Sequence, residues 1–441
     1  MDLPPVYCRA LRHMEVYSLL GPLSKRIGTK TGLASLARKD AALAKHLPGT
    51  FMWNPVTGEL DENASREEWE RFWALVDAQG GERKFVVKVD NTSRGRGVHI
   101  VSRRDDLSPQ LRYRLMQSSC VAQSYVDRPC LLQGHKWDMR VYVLVTVAGA
   151  TREPRAFRYH EGFARRCTNK YQMAVNDRRA HLTNTSVNNS DGDRGLLEYS
   201  LTLLQALRGL DESEHALYPS VLMDEEDIVA ALEKFAVQDE ERAAEERAPE
   251  TSSEVSGDEA GKEATKEQLP VTMRLSQAWE ELQRNFSLNQ IDAAKRSVDE
   301  LIRDALGATF RVASQQTDPA LPNTPRYTYG RHLMILGFDV LFDADLKPYL
   351  LEVNRFPDMT CYTRDQLAIK QELLRDTLNL VFPDARVDSL FNTPRDAQAM
   401  CDFWAQVNPS IDPVNVDNAA SPTLSQDHEH WTEVVFNHEQ T

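Results

Sequence analysis

Between Lys84 and Val147 the apolar residues recur mostly at every second position. The runs KFVVKV, GVHIVS, CVAQSYV, CLLQG and MRVYVLVTV read as short strands, rich in β-branched residues and bounded by turn residues. On either side the period changes to that of a helix. SREEWERFWALVD (65–77) opens on Ser-x-x-Glu, the pattern of a capping box, and sets Trp69, Phe72 and Trp73 on one stripe; this predicts a helix with an aromatic face in the core. Helical spacing is also expected over about 195–235, 271–306 and 365–380. Near the end, the runs GFDVLF and YLLEVN flank the turn DADLKP and predict a hairpin.

That hairpin carries polar residues where an ordinary one is apolar. Folding it brings Asp339 toward Glu352 and Asn354, and the last two share a face because strand side chains alternate. Three oxygen ligands on one patch suit Mg²⁺ that also holds phosphate oxygens; an edge hairpin with its polar face in water has the same pattern. The segment 84–102, KFVVKVDNTSRGRGVHIVS, is a strand, a turn with Gly95 and Gly97, and a second strand. Its glycines allow close approach to a phosphate, with Lys88 projecting toward it, or it is a plain hairpin with a basic tip. No helix follows the turn, so it is neither a Walker loop nor a dinucleotide fingerprint. Gln123-Ser124-Tyr125-Val126 reads as an extended segment whose backbone is placed to pair with an adenine edge. Lys136, Asp138 and Arg140 alternate at spacing two, hence on one face, either paired among themselves or facing a polyanion. Glu161-Gly-Phe-Ala-Arg165 reads as an Arg after a tight turn, and His181-Leu-Thr-Asn184 as a cap or a set of short polar ligands.

Composition narrows the class. The chain has 441 residues, enough for two or three domains, with 41% hydrophobic and 8% aromatic residues. No apolar run reaches 18 residues, and the first twenty residues lack an uninterrupted apolar core, so neither a membrane span nor a signal peptide is expected. The six cysteines (8, 120, 130, 167, 361 and 401) are scattered without a CxxC pair; they read as free thiols of a cytoplasmic protein, with no zinc site. The net charge of −14 is uneven. From Asp239 to Glu267 acids outnumber bases eleven to four, a balance of −7, and the region 236–270 reads as an acidic disordered insertion. From Thr151 to Ala180 eight Lys and Arg face three acids, a field that would attract an acidic peptide or else a solvated face.

Taken in order, HKWDMRVYVLVT, HLTNTSVN and GFDVLFDADLKPYLLEVN resemble three sequence blocks of the tubulin tyrosine ligase-like family, of the ATP-grasp superfamily, over roughly residues 25–381. The resemblance implies an α+β ATP-grasp fold, two α+β subdomains with ATP between them. The expected parts are a partial amino-terminal region (1–80), a central part (81–235), the insertion (236–270), a carboxy-terminal part with the magnesium site (271–383) and an irregular tail (384–441). It implies ATP and Mg²⁺ as cofactors. Lys88 and Lys136 would hold phosphates under a hairpin of Arg94, Gly95 and Gly97. Gln123, Ser124, Tyr125 and Val126 would line the adenine, Asp138 would reach the ribose, and Thr183 and Asn184 would complete the pocket. Asp339, Glu352 and Asn354 would bind magnesium. Arg140 would face the reacting acyl group, and Arg165 and Lys370 would grip the incoming amino acid; Arg140, Arg165 and Glu352 are the catalytic candidates. The sequence departs from the family in having Lys88-Val89 for Lys-Pro, Arg355-Phe356-Pro357 for Ser-Pro, and Trp137 as the aromatic of its block.

The implied reaction is ATP-dependent ligation of free L-glutamate to glutamate side chains of tubulin tails through an acyl-phosphate. Glycine or tyrosine ligation, a non-catalytic microtubule-binding member and a small-molecule carboxylate–amine ligase are the alternatives. The implied setting is the cytoplasm and cytoskeleton, including cilium, flagellum or basal body, with the chain a monomer and neither nucleic acid nor membrane as partner.

Overall fold

The computed structural model describes residues 26–54, 62–90, 92, 95, 97–147, 154–174, 177–188, 270–315, 332–359, 364–381 and 430–435. Arg94, the helix expected over 195–235, nearly all of the acidic insertion, most of the tail and Cys8, Cys361 and Cys401 lie outside them. The chain divides into two compact units, 1–183 with 272–441, and 184–271.

The first unit opens with helices α1 (Lys30–Lys39) and α2 (Ala41–Ala44) and strand β1 (Thr50–Trp53). Helix α3 (Glu62–Ala78) contains the predicted amphipathic stretch. Strands β2 (Phe85–Val89) and β3 (Val98–Val101), helix α4 (Pro109–Met116) and strand β4 (Cys120–Ser124) follow. The four strands form an antiparallel sheet in the order β1-β4-β2-β3. Trp69, Phe72, Trp73 and Val76 of α3 pack on Phe85, Val87, Val101 and Ala122 of this sheet, so the aromatic stripe is core, as its spacing predicts. At about 1.5–3 kcal/mol for each large apolar side chain, this cluster is a major part of what holds the sheet.

The larger sheet contains β5 (Leu131–Leu132), β6 (His135–Val147), β7 (Pro154–Arg166), β8 (Thr272–Arg274), β9 (His332–Phe342), β10 (Pro348–Asn354) and β11 (Trp431–Val434). Its main path is β10-β9-β6-β7-β11, antiparallel throughout; β5 pairs with β6 and β8 with β7. The short helix α5 (Arg178–His181) closes the part before the second unit, of which α6 (Thr185–Asn188) is described. Helices α7 (Leu275–Leu282), α8 (Leu288–Gln315) and α9 (Arg364–Val381) complete the first unit and pack on the large sheet. The fold is mixed α and β with antiparallel sheets.

Two expectations change. The 161–165 stretch is not a tight turn: it lies within β7, beginning at a register irregularity between Arg158 and Gly162, and Gly162 sits where a Cβ would fall 2.3 Å from the Arg140 carbonyl oxygen. The glycine serves close strand approach, and the Glu161 carboxylate instead caps α7, accepting from Ser276 N at 3.1 Å and Ser276 Oγ at 2.7 Å. The tail is also not irregular throughout. Trp431–Val434 adds an edge strand to β7, with the Trp431 ring tilted against Tyr159 at 4.8 Å between centres and Glu433 bonded by Arg155 at 2.7 and 2.8 Å.

Candidate active site

The site forms where β6, β7, β9 and β10 run side by side. Antiparallel register sets Arg140 opposite Asp339, Asp138 opposite Arg165, and Glu352 opposite Asp339. The last pairing depends on a bulge between Leu350 and Glu352. A bulge inserts one residue and leaves it out of the ladder. Here Leu351 is that residue, and its carbonyl accepts from Lys88 Nζ at 3.3 Å, so the irregularity in β10 receives the lysine of the other sheet. Leu350 N, beside it, donates to His46 O at 2.8 Å and anchors this strand to the segment after α2.

At the centre is a chain of alternating charges. Arg140 donates to both oxygens of Asp339. Arg165 bonds both oxygens of Asp138 at 2.7 and 2.8 Å and reaches Asp339 at 2.9 Å. All four are largely buried, with Asp339 at 2% exposure. Burial would raise the Asp339 pKa, but the two guanidiniums outweigh it and hold the carboxyl well below the usual range. Thr183 Oγ1 donates to Asp138 at 2.6 Å, and Asn354 Nδ2 to Asp339 at 3.3 Å and Glu352 at 3.2 Å. The hairpin therefore gathers Asp339, Glu352 and Asn354 on one patch, as the alternation predicts.

The two lysines converge from different sheets, Lys88 from β2 and Lys136 from β6. Burial pulls both ammoniums down to about 8. Lys136 Nζ donates to Tyr125 Oη at 3.0 Å and to the His181 carbonyl at 2.9 Å, and lies 4.3 Å from the Tyr125 ring centre. The Tyr125 hydroxyl also meets His181 Nδ1 at 2.7 Å. Gly95 and Gly97 both have positive φ, and a Cβ on Gly97 would fall 2.9–3.0 Å from Thr92 and Val89.

The segment expected to line an adenine lies only partly outside the sheet. The backbones of Gln123 and Ser124 lie inside the sheet, with β1 or Gly49 on one side and β2 on the other. Tyr125 and Val126 leave the sheet after Tyr125 N bonds Lys84 O at 3.0 Å. Lys370 of α9 is buried with its ammonium 5.6 Å from the ring of Phe163, the residue directly opposite Arg140 in the β6–β7 ladder. Asn184 belongs to the second unit, where its carbonyl accepts from Val187 N and Asn188 Nδ2, both at 3.0 Å.

The arginine-rich stretch is not one docking field. Arg155 is bonded to Glu433, Arg158 to Asp299 at 2.5 Å, Arg165 to Asp138 and Asp339, and Arg178 to the carbonyls of Gly95 and Val98. Local sequence concealed this because the partners lie far along the chain. Lys30 was missed for the same reason: its Nζ donates to Thr92 O at 3.0 Å, and its charge helps depress Lys88.

Among the described residues no group of three or more His, Cys, Asp or Glu side chains is arranged to hold a metal ion. Two carboxylates and an amide fit a small hard cation that takes its remaining ligands from phosphate oxygens, and they do not fit a metal that prefers nitrogen or sulfur.

A model described as the tubulin-tyrosine ligase family matches residues 22–254 and 261–389. A probable beta-tubulin polyglutamylase of Tetrahymena thermophila is 25% identical over 378 residues, covering 81% of this chain and 24% of that protein. Tubulin polyglutamylase TTLL7 of Homo sapiens is 24% identical over 371 residues, covering 81% and 32%. Tubulin monoglutamylase TTLL4 of Homo sapiens is 24% identical over 374 residues, covering 82% and 23%. The chain spans about a quarter to a third of the length of these curated relatives. With the matched region extending over most of the sequence and including both lysines and the acidic hairpin, the chain belongs to the tubulin-tyrosine ligase family.

Proposed function

We propose that this chain is an ATP-dependent carboxylate–amine ligase that adds glutamate to glutamate side chains of tubulin carboxy-terminal tails. The observation that carries the reading is a pair of buried, pKa-depressed lysines that sense each other's charge, Lys88 beside the patch of two carboxylates and an amide and Lys136 beside Asp138. Buried cations without enough counter-charge are a prepared site for a polyanion. ATP would lie between the two sheets, its phosphates on Lys88 and Lys136 and its base beside Tyr125 and Val126. Asp339, Glu352 and Asn354 would hold Mg²⁺, which offsets charge on the phosphoryl group as the acceptor carboxylate becomes an acyl-phosphate and the amine displaces phosphate. Arg140 and Arg165 keep Asp339 ionised, and the carboxylate of the incoming amino acid competes for the same guanidiniums. The names of the relatives support tubulin as the substrate and glutamate as the donor. The cytoplasmic microtubule lattice, including that of cilium, flagellum or basal body, is the corresponding setting.

The test is incubation with ATP, magnesium, tubulin and radiolabelled glutamate, glycine or tyrosine in turn. Glutamate incorporation is the expected result. Label from glycine or tyrosine keeps the chemistry and overturns the donor, and tubulin binding without any label overturns the ligase reading.

ATP affinity has an expected pH dependence. The phosphates bind the charged lysines, so affinity holds near pH 7 and falls through the pKa of about 8, by roughly tenfold per lysine per pH unit above it. Without nucleotide the sign is opposite for stability: the folded lysines titrate below the ordinary lysine value of 10.5, so their burial cost is relieved and stability rises as pH climbs from about 8 toward 10.5. Equilibrium ATP binding between pH 7 and 9.5 checks the first statement, and Lys136→Met should reduce its slope.

A further inference from the structure

The glycine hairpin is held from two sides by cations that donate to its carbonyls. From α1, Lys30 Nζ reaches Thr92 O at 3.0 Å. From α5, Arg178 Nη2 reaches Gly95 O at 3.0 Å and Nη1 reaches Val98 O at 3.2 Å. A peptide is planar, so fixing its carbonyl also fixes the direction of its N–H. The effect matters most where glycines with positive φ, Gly95 and Gly97, leave the backbone otherwise free.

Arg178 occupies a particular place. It opens the four-residue helix that ends at His181. His181 accepts from Lys136 through its carbonyl and meets Tyr125 through its ring, and Thr183, two residues on, bonds Asp138. One short segment thus touches the glycine hairpin, the second phosphate lysine, the adenine-side tyrosine and the central charge chain. We propose that Arg178 is a positioning residue for the nucleotide, tying the glycine hairpin to the helix that orients Lys136 and Tyr125. The inference rests on the ATP-site reading above and assigns Arg178 a role distinct from docking an acidic peptide. The guanidinium fork spans two carbonyls at once, whereas a lysine point charge meets one at a time.

The test compares full-length wild type, Arg178→Met, Arg178→Lys and Lys88→Met. Three readouts are radiolabelled ATP binding, hydrogen exchange over residues 89–98 without nucleotide, and the KM values for ATP and for the tubulin tail. In Arg178→Met, exchange over 95–98 should accelerate and ATP affinity should fall about tenfold. Its turnover at saturating ATP and its KM for the tail should stay near wild type, with Arg178→Lys between the two. If Arg178→Met binds ATP and exchanges like wild type while Lys88→Met loses ATP, this inference alone is overturned. A rise confined to the KM for the tail also overturns it and returns Arg178 to substrate docking. Wild type that binds no ATP overturns the ATP-site reading together with the inference.

Discussion

Replacing Asp339 by Asn is expected to remove about 3–5 kcal/mol of stability and to abolish ligation in the same step. The carboxylate lies between two buried guanidiniums, bonded by Arg140 through both oxygens and by Arg165 at 2.9 Å. Asparagine keeps the shape and one acceptor oxygen but leaves the Arg140 charge without the carboxylate it is bonded to. The pH dependence identifies the cause. The Asp339 pKa is depressed below the ordinary carboxyl value of 3.8, so its stabilisation is fully present at neutral pH and is lost as pH falls below that value. Urea unfolding of wild type and Asp339→Asn should therefore differ most at pH 7 and converge in acid. A constant gap would mean that packing, not charge, accounts for the loss.

Glu352→Gln should separate catalysis from stability. Glu352 faces Asp339 across the bulge but is only half-buried, and its bonded partner is the Asn354 amide at 3.2 Å rather than an arginine. Removing its charge orphans no buried guanidinium but takes away the strongest counter-charge on buried Lys88, so stability should fall by about 1 kcal/mol, well short of the loss in Asp339→Asn. Incorporation of labelled amino acid should fall by about 10²–10³-fold or more, the cost of losing one well-placed electrostatic group. Unfolding as weakened as in Asp339→Asn would make Glu352 a structural residue and remove it from the proposed magnesium ligands.

The parts of the site set by local alternation were legible in the sequence. Asp339, Glu352 and Asn354 share a patch because two strand runs flank a short turn, and Lys136, Asp138 and Arg140 share a face because strand side chains alternate. The pairing of those charges was not legible. Arg140 and Asp339 are 199 positions apart, and nothing in either neighbourhood names the other. The strand Pro154–Arg166 was hidden for a related reason. Its arginines look like a solvated basic run until Glu433, Asp299 and Asp138 are seen opposite them. The bulge at Leu351 was also invisible, because the lysine its carbonyl receives comes from the other sheet, 263 positions away.

The strand Trp431–Val434 has a practical consequence. The family match stops at residue 389, and a chain cut there would keep every candidate site residue yet lose the cover of β7. The ladder groups of Ala156–Tyr159, the ring of Tyr159 and the Arg155 guanidinium would then face water. An uncovered edge of that kind is a template for a second chain, so the shortened protein would self-associate along β7 while its candidate site stayed intact.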